Sequence, residues 1–162
     1  MRRISSIALL AMTIFAAPAV SQTVPFGGAE NDTSAPVEVS ADDMLVNQST
    51  GQAQLTGSVL IAQGDMRLSA DKVVVKYDPQ DQSRIASMDA TGNVTLVQGE
   101  DAAEAGQAIY DVSSGLVTLM GDVLVTQGEN VMSGEKIVVN LEEGTAQASG
   151  RVRTILQPGS SQ

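Results

Sequence analysis

The chain has 162 residues, a formal net charge of −10, two tyrosines, and no tryptophan, histidine or cysteine. That length bounds it to one domain plus a targeting segment. The missing histidine removes the usual general base and metal ligand, the missing cysteine leaves folding to packing and backbone pairing, and the acidic balance excludes a nucleic-acid binder, which needs basic surface to displace counterions.

The chain opens on Met1-Arg2-Arg3, runs apolar from Ile4 to Ala17, and continues in small residues to Ser21. This predicts a secretory signal peptide over 1–21, cleaved after Ser21 or after Ala19. Cleavage removes Arg2 and Arg3 and leaves 7 basic against 19 acidic residues, a net charge of −12. An anionic ligand would then be held mainly through its apolar part. Residues 22–35 are rich in Gly, Ser, Thr and Asn without an apolar period, and predict a flexible leader that includes Phe26. The folded domain is expected over 36–157, with a tail at 158–162.

Inside those limits a block recurs. It consists of an acidic small-residue cluster, an apolar strand, a turn, a short strand ending in Gly, an apolar triplet, and Gln-Gly. The clearest copy runs from Ser69-Ala70-Asp71 through Val73-Val74-Val75 and Gly92 to Gln98-Gly99. The glycine before the triplet falls at Gly57, Gly92, Gly121 and Gly150, spacings of 35, 29 and 29 residues. A period near 29 with strand chemistry inside it predicts a stacked β array. The residues 78–83 form a longer loop in the second copy, and no helical period appears beyond the signal. The Gly and Asn/Asp/Ser pairs after the short strands are expected to be tight turns, where positive φ is cheap.

Side chains alternate across a strand, so the apolar parity identifies one inward face. The expected lining is Val37, Val39, Leu55, Val59, Ile61, Leu68 and Val73, continued by Val75, Leu96, Leu119, Val123, Val125, Ile137 and Val139. The third copy breaks the rule after its opening cluster, because Ile109 is followed by Asp111 while Tyr110 pairs with Val112. The interior is aliphatic and open to two readings: a plain β core, or a trough for alkyl chains. An exposed chain of about a dozen methylenes costs roughly 10 kcal/mol in water, so a continuous aliphatic channel is all a carrier needs.

Catalysis is hard to place. Asp42-Asp43 and Glu142-Glu143 are adjacent residues beside turns, and neighbours on a strand point to opposite faces. Asp42, Asp71 and Glu135 recur at one repeat position and read as turn- or loop-capping carboxylates before metal ligands. No catalytic residue, metal site or cofactor is assigned. The first strand, with Val37, Glu38 and Val39, and the last, with Val152, Thr154 and Leu156, lack helical caps. Both are candidate edges for another β domain, with head-to-tail addition of a second copy expected.

The run Leu55-Thr56-Gly57-Ser58-Val59-Leu60-Ile61-Ala62-Gln63-Gly64, followed by Leu68-Ser69-Ala70-Asp71-Lys72-Val73-Val74-Val75, resembles the signature of the OstA-like family of lipopolysaccharide-transport proteins. The openings at 36–42 and 151–156 are also similar to it. The resemblance implies an all-β, twisted V-shaped β-jelly roll built from short antiparallel strands. It implies a non-enzymatic periplasmic carrier and bridge whose apolar interior shields the acyl chains of lipopolysaccharide. It also implies edge-strand addition, with an LptC-like β domain at the N-terminal edge and an LptD-like one at the C-terminal edge. The alternative reading is a self-polymerising structural β-solenoid without lipid cargo. A glycan-acting enzyme is a third class, disfavoured by the lack of converging carboxylates.

Overall fold

The computed structural model describes residues 22–27 and 32–157. The expected signal peptide and the tail at 158–162 lie outside the described residues. The chain forms β1 (Gln22–Pro25), β2 (Glu38–Ser40), β3 (Asp43–Asn47), β4 (Gln52–Gln63), β5 (Met66–Tyr77), β6 (Ile85–Gln98), β7 (Asp101–Asp111), β8 (Leu116–Gln127), β9 (Asn130–Asn140), β10 (Thr145–Ser149) and β11 (Arg153–Ile155). All belong to one antiparallel sheet in the order β1-β10-β9-β8-β7-β6-β5-β4-β2, with β3 also on β4 and β11 also on β9. From β4 to β10 every strand pairs with its successor, the arrangement a chain of hairpins gives.

The repeat glycines are not turns, which corrects the expectation from sequence. Gly57, Gly92 and Gly121 stand inside β4, β6 and β8, and Gly150 stands between β10 and β11. Their φ angles are +78°, +79°, +82° and +74°, and the residues after them, Ser58, Asn93, Asp122 and Arg151, also sit at +43° to +50°. Two consecutive left-handed residues break the ladder locally. On β4 the pairing jumps from Thr56 to Val59 while β5 goes only from Lys72 to Ala70. This is a β-bulge, which kinks the strand and sharpens its twist.

The same break recurs in each pair from β4·β5 to β8·β9. The kinks therefore align into a fold line that divides the sheet into two facing arms. The first arm holds β3, β10, β1 and the adjoining halves of β4–β9. The second holds β2, β11 and the other halves. β2 with β3, and β10 with β11, are each one strand bent at this line. The inward residues of both arms meet in one core that runs from Ala53 and Leu55 to Ala146 and Ala148. This is the twisted, V-shaped β-jelly roll that the family resemblance implied.

The recurring carboxylates sit on the fold line rather than at turns. Asp42 N–H donates to Gly57 O at 2.9 Å, and Glu135 N–H to Gly150 O at 3.0 Å. Asp71 accepts from Asn93 Nδ2 at 2.8 Å, and Glu135 pairs with Arg151 at 2.5 Å. Each side chain covers the bare Cα of a kink glycine: a Cβ on Gly92 would lie 2.5 Å from Asp71 Oδ2, and one on Gly150 2.5 Å from Glu135 Oε2. In the third copy Gly106 replaces the acid, and a Cβ on Gly121 would meet only Gly106 backbone at 3.7 Å. The irregular copy is the one without an acid at this repeat position, and its inward residues are Ala108 and Tyr110.

The leader is a second correction. Residues 22–25 form β1 on the edge of β10, and Phe26 is fully buried in the core. Polar composition hid this because a four-residue edge strand needs only one inward apolar residue, here Val24, and one anchor.

The kink geometry separates two costs. A non-glycine residue in the left-handed region costs about 1–2 kcal/mol, and forcing a group into occupied space adds about 1–3 kcal/mol. Gly121→Ala is expected to lose only the first and Gly92→Ala both, as read from urea unfolding midpoints. Asp71→Gly in the Gly92→Ala background should recover the second. Equal losses for the two alanine variants would contradict the packing of Asp71 on Gly92.

Candidate functional site

The structure places the sequence-predicted lining on the inner faces of both arms. Leu55, Val59, Ile61, Leu68, Val73, Val75, Leu96, Leu119, Val123, Val125, Ile137 and Val139 are all buried, none more than 3% exposed. Val37 and Val39 are half-buried and pack against that cluster at its N-terminal end. Met88, inward by sequence parity but absent from the expected lining, is buried as well, and parity overlooked Met66, Leu141 and Phe26.

The interior is filled. Side chains from the two arms interdigitate until almost no core surface is left for an alkyl chain in this state. A crevice between β1 and β11, lined by Val24, Val125, Met132, Thr154 and Leu156, holds about 50 Å³. One water needs about 10–15 Å³ of such space, so the crevice admits a few waters and is too small for an acyl chain. The two apolar inner faces are thus in contact along the core, with no open trough between them among the described residues.

The N-terminal end differs. Met44 and Val46 lie opposite Leu55 and Ala53 in the β3·β4 ladder, so they share the inner face. Yet Met44 is 61% and Val46 54% exposed, and Leu45 between them 68%. Three consecutive exposed apolar residues on an edge strand mark a place for a partner. At the other end Ile155 and Leu156 are exposed on and beside β11. Of the named edge residues, Glu38, Thr154 and Leu156 are exposed and Val37, Val39 and Val152 half-buried.

The Gln-Gly element of the repeat had no role in sequence, and the structure gives it one. Gln63, Gln98 and Gln127 stand at the tips of the second arm, at the open side of the V. Gln63 Nε2 donates to Thr33 O at 2.7 Å and Ala35 O at 3.0 Å. Gln127 Nε2 donates to Pro25 O at 3.1 Å and to Asp101 Oδ2 at 2.8 Å. That same carboxylate oxygen accepts Gly27 N–H at 2.6 Å, and Gly27 lies against the Gln98 side chain. On the first arm Gly144 O accepts Phe26 N–H at 2.8 Å, and Glu142 accepts the Thr33 hydroxyl at 3.0 Å. The described parts of the leader thus touch both rims of the V.

A polar contact joins the arms directly. The Tyr110 hydroxyl, on the first arm, donates to Gln63 Oε1, on the second, and both residues are buried. Burial, reinforced by the negative charges of Glu142 and Asp111, pushes the Tyr110 phenol up to about 12.

One antiparallel sheet, folded along a row of kinks around an aliphatic interior and exposing strand edges at both ends, defines a β-jelly-roll module for apolar burial and edge pairing. The chain belongs to the LptA/(LptD N-terminal domain) LPS transport protein family, which it matches over residues 38–145. It is 26% identical over 159 positions to "Lipopolysaccharide export system protein LptA" of Escherichia coli K12, covering 92% of this chain and 85% of that one. It is 24% identical over 143 positions to the protein of the same name from Haemophilus influenzae, covering 82% and 83%. Its fold matches the crystal structure of LptH, described as the LptA homologous periplasmic component of the lipopolysaccharide transport device of Pseudomonas aeruginosa. That match has a TM-score of 0.71 and 23% identity, covering 79% of this chain and 99% of that one.

The raised tyrosine makes a pH test of the burial of Tyr110. An unfolded tyrosine ionises near pH 10, whereas Tyr110 in the fold ionises at about 12. Its share of stability is thus complete below about pH 10 and is lost as pH rises toward about 12. Denaturant titrations across that window should show a steeper loss for the wild type than for Tyr110→Phe. The variant should be less stable at neutral pH by about 1 kcal/mol. Identical pH profiles would show that the Tyr110 hydroxyl is not buried beside Glu142 and Asp111.

Proposed function

We propose that the chain is a periplasmic lipopolysaccharide carrier and bridge, acting by binding and not by catalysis. The observation that carries this reading is the aliphatic interior formed between two arms of one sheet. Such arms can separate along their contact without breaking backbone pairing, because the ladders run within each arm and the fold line stays intact. Parting them exposes the faces of Ile61, Leu68, Leu96 and Leu119, and an inserted acyl chain restores the burial. Each methylene taken from water contributes about 0.8 kcal/mol, so a chain of about a dozen offsets a large part of the cost of opening. The sugar and phosphate portion stays outside, where the acidic surface offers few cations to hold it.

The bridge follows from the edges. The N-terminal edge, β2 and β3, receives an LptC-like β domain, and the C-terminal edge, with β11, an LptD-like one. Adding a strand satisfies backbone groups and continues the apolar faces into the neighbour. Each junction therefore extends the interior instead of sealing it. Further copies stack head to tail by the same contact.

One observation favours the alternative, a structural array without cargo: the interior is complete without a ligand. The two readings diverge in cells. A photo-crosslinking residue at Ile61 or Leu96 is expected to capture lipopolysaccharide. Capture confined to outward positions such as Arg67 and Lys76 would overturn the lining. Depleting the protein should stall newly made lipopolysaccharide at the inner membrane. Normal surface delivery, together with filaments indifferent to added lipopolysaccharide, would favour the structural array.

A further inference from the structure

The C-terminal end of the sheet is only half an edge. β11 is unpaired on its outer side, but β10 carries β1 there. The repeat shows what β1 resembles. On β4, the half-strand before Gly57 has β3 on one side and β5 on the other, with Val73 opposite Leu55, Val74 opposite Gln54, Val75 opposite Ala53 and Lys76 opposite Gln52. Val73 to Lys76 hold the repeat position of Met44 to Asn47, counted from the recurring acids Asp71 and Asp42. On β10, the half-strand before Gly150 occupies the same repeat position as that of β4, with Ala148, Gln147, Ala146 and Thr145 as the equivalents of Leu55, Gln54, Ala53 and Gln52. There β9 takes the place of β3, and the outer side is the one β5 takes on β4. β1 pairs on that side antiparallel and without a gap: Gln22 with Ala148, Thr23 with Gln147, Val24 with Ala146 and Pro25 with Thr145.

We propose that β1 is an internal stand-in for the strand of a second copy, holding on β10 the register that Met44–Asn47 of that copy takes when two copies join. This rests on the reading that copies add edge to edge, and it adds that the C-terminal edge is self-capped before they do. Residue by residue, Gln22 stands for Met44, Thr23 for Leu45, Val24 for Val46 and Pro25 for Asn47. Val24 lies opposite the buried Ala146 and packs against the core, as an inward Val46 from a neighbour would. Meanwhile the chain's own Met44, Leu45 and Val46 remain uncovered at the opposite end.

The stand-in is built to be replaced. It is four residues long, and Pro25 has no N–H to give the ladder. Its hold comes from beyond the strand, through Phe26 in the core, Gly27 on Asp101 and Gln127 on the Pro25 carbonyl. The incoming bent strand offers more, because β3 would take β10 while β2 takes the free β11. Being tethered, β1 competes at high effective concentration. The apparent affinity between copies is therefore reduced by the fraction of molecules with β10 uncovered. The arrangement keeps single copies from polymerising through a full edge while leaving β11 open for first contact.

The cysteine-free sequence allows a clean test. Directly opposite residues in an antiparallel ladder lie within the Cα separation a disulfide accepts, so Thr23→Cys with Gln147→Cys locks β1 in place. Sedimentation velocity across a concentration series of the full chain should show the oxidised variant staying monomeric where its reduced form assembles. Phe26→Ala, which loosens the anchor, should assemble at about tenfold lower concentration, the change expected if the uncovered fraction rises tenfold. Mixed single variants Leu45→Cys and Gln147→Cys should cross-link as heterodimers. Assembly by the locked protein equal to that of its reduced form, with Leu45→Pro still abolishing assembly, would overturn the stand-in and leave edge joining intact. Assembly unaffected by Leu45→Pro would overturn edge joining itself.

Discussion

The fold depends on a backbone constraint: paired left-handed residues, recurring at Gly57, Gly92, Gly121 and Gly150, each bend a strand at the same height. A flat sheet of this composition would leave an apolar face in water and would need a second layer to cover it. Aligned bulges let the sheet cover itself. The carboxylates of Asp42, Asp71 and Glu135 follow from the same constraint, since they fill the space that a missing Cβ leaves on the neighbouring strand. Where Gly106 replaces the acid, two bare backbones approach each other and the bend persists. The glycine is the requirement and the carboxylate its accessory.

This explains which features were legible in the sequence. Period and parity are properties of one strand and its two neighbours, so the β array and the inward positions from Leu55 to Val139 could be read directly. A bulge and a turn use the same residues, glycine followed by a small or polar residue, and only the pairing partner tells them apart. Gly57-Ser58 was thus expected to be a turn, although it kinks a 12-residue strand. Hairpin glycines stand instead at Gly51, Gly115 and Gly144, where the sequence marks turns, and at Gly64, Gly99 and Gly128 of the Gln-Gly element, whose turn role it does not mark. The leader partners of Gln63 and Gln127 were not legible, because they lie 28 or more residues away in a segment that carries no periodic signal. Phe26 was passed over for the same reason: a lone aromatic in a polar stretch has no pattern to place it.

The site follows from the fold in a similar way. A self-covering sheet has two surfaces that water cannot reach: the contact between its arms and the backbone edges of any neighbour it joins. On the proposed carrier reading, both suit an amphiphile whose tails need covering and whose head does not. The low content of basic residues fits such division, because binding strength then scales with apolar area and not with salt-sensitive charge pairs.

The contacts across the open side of the V link these two surfaces. Gln63 holds Tyr110 of the opposite arm through one end of its amide and the leader through the other. Separating the arms breaks that chain of hydrogen bonds, and it also strains Phe26 and Gly27, which touch Gly144 on one rim and Asp101 on the other. The same residues anchor β1 on β10. Parting the arms near β10 and uncovering its edge therefore weaken a shared set of contacts, so either change lowers the cost of the other. On the proposed reading, in which an alkyl chain enters between the arms and a neighbour joins the edge, the two events are coupled through the leader, and by linkage each favours the other to the same degree.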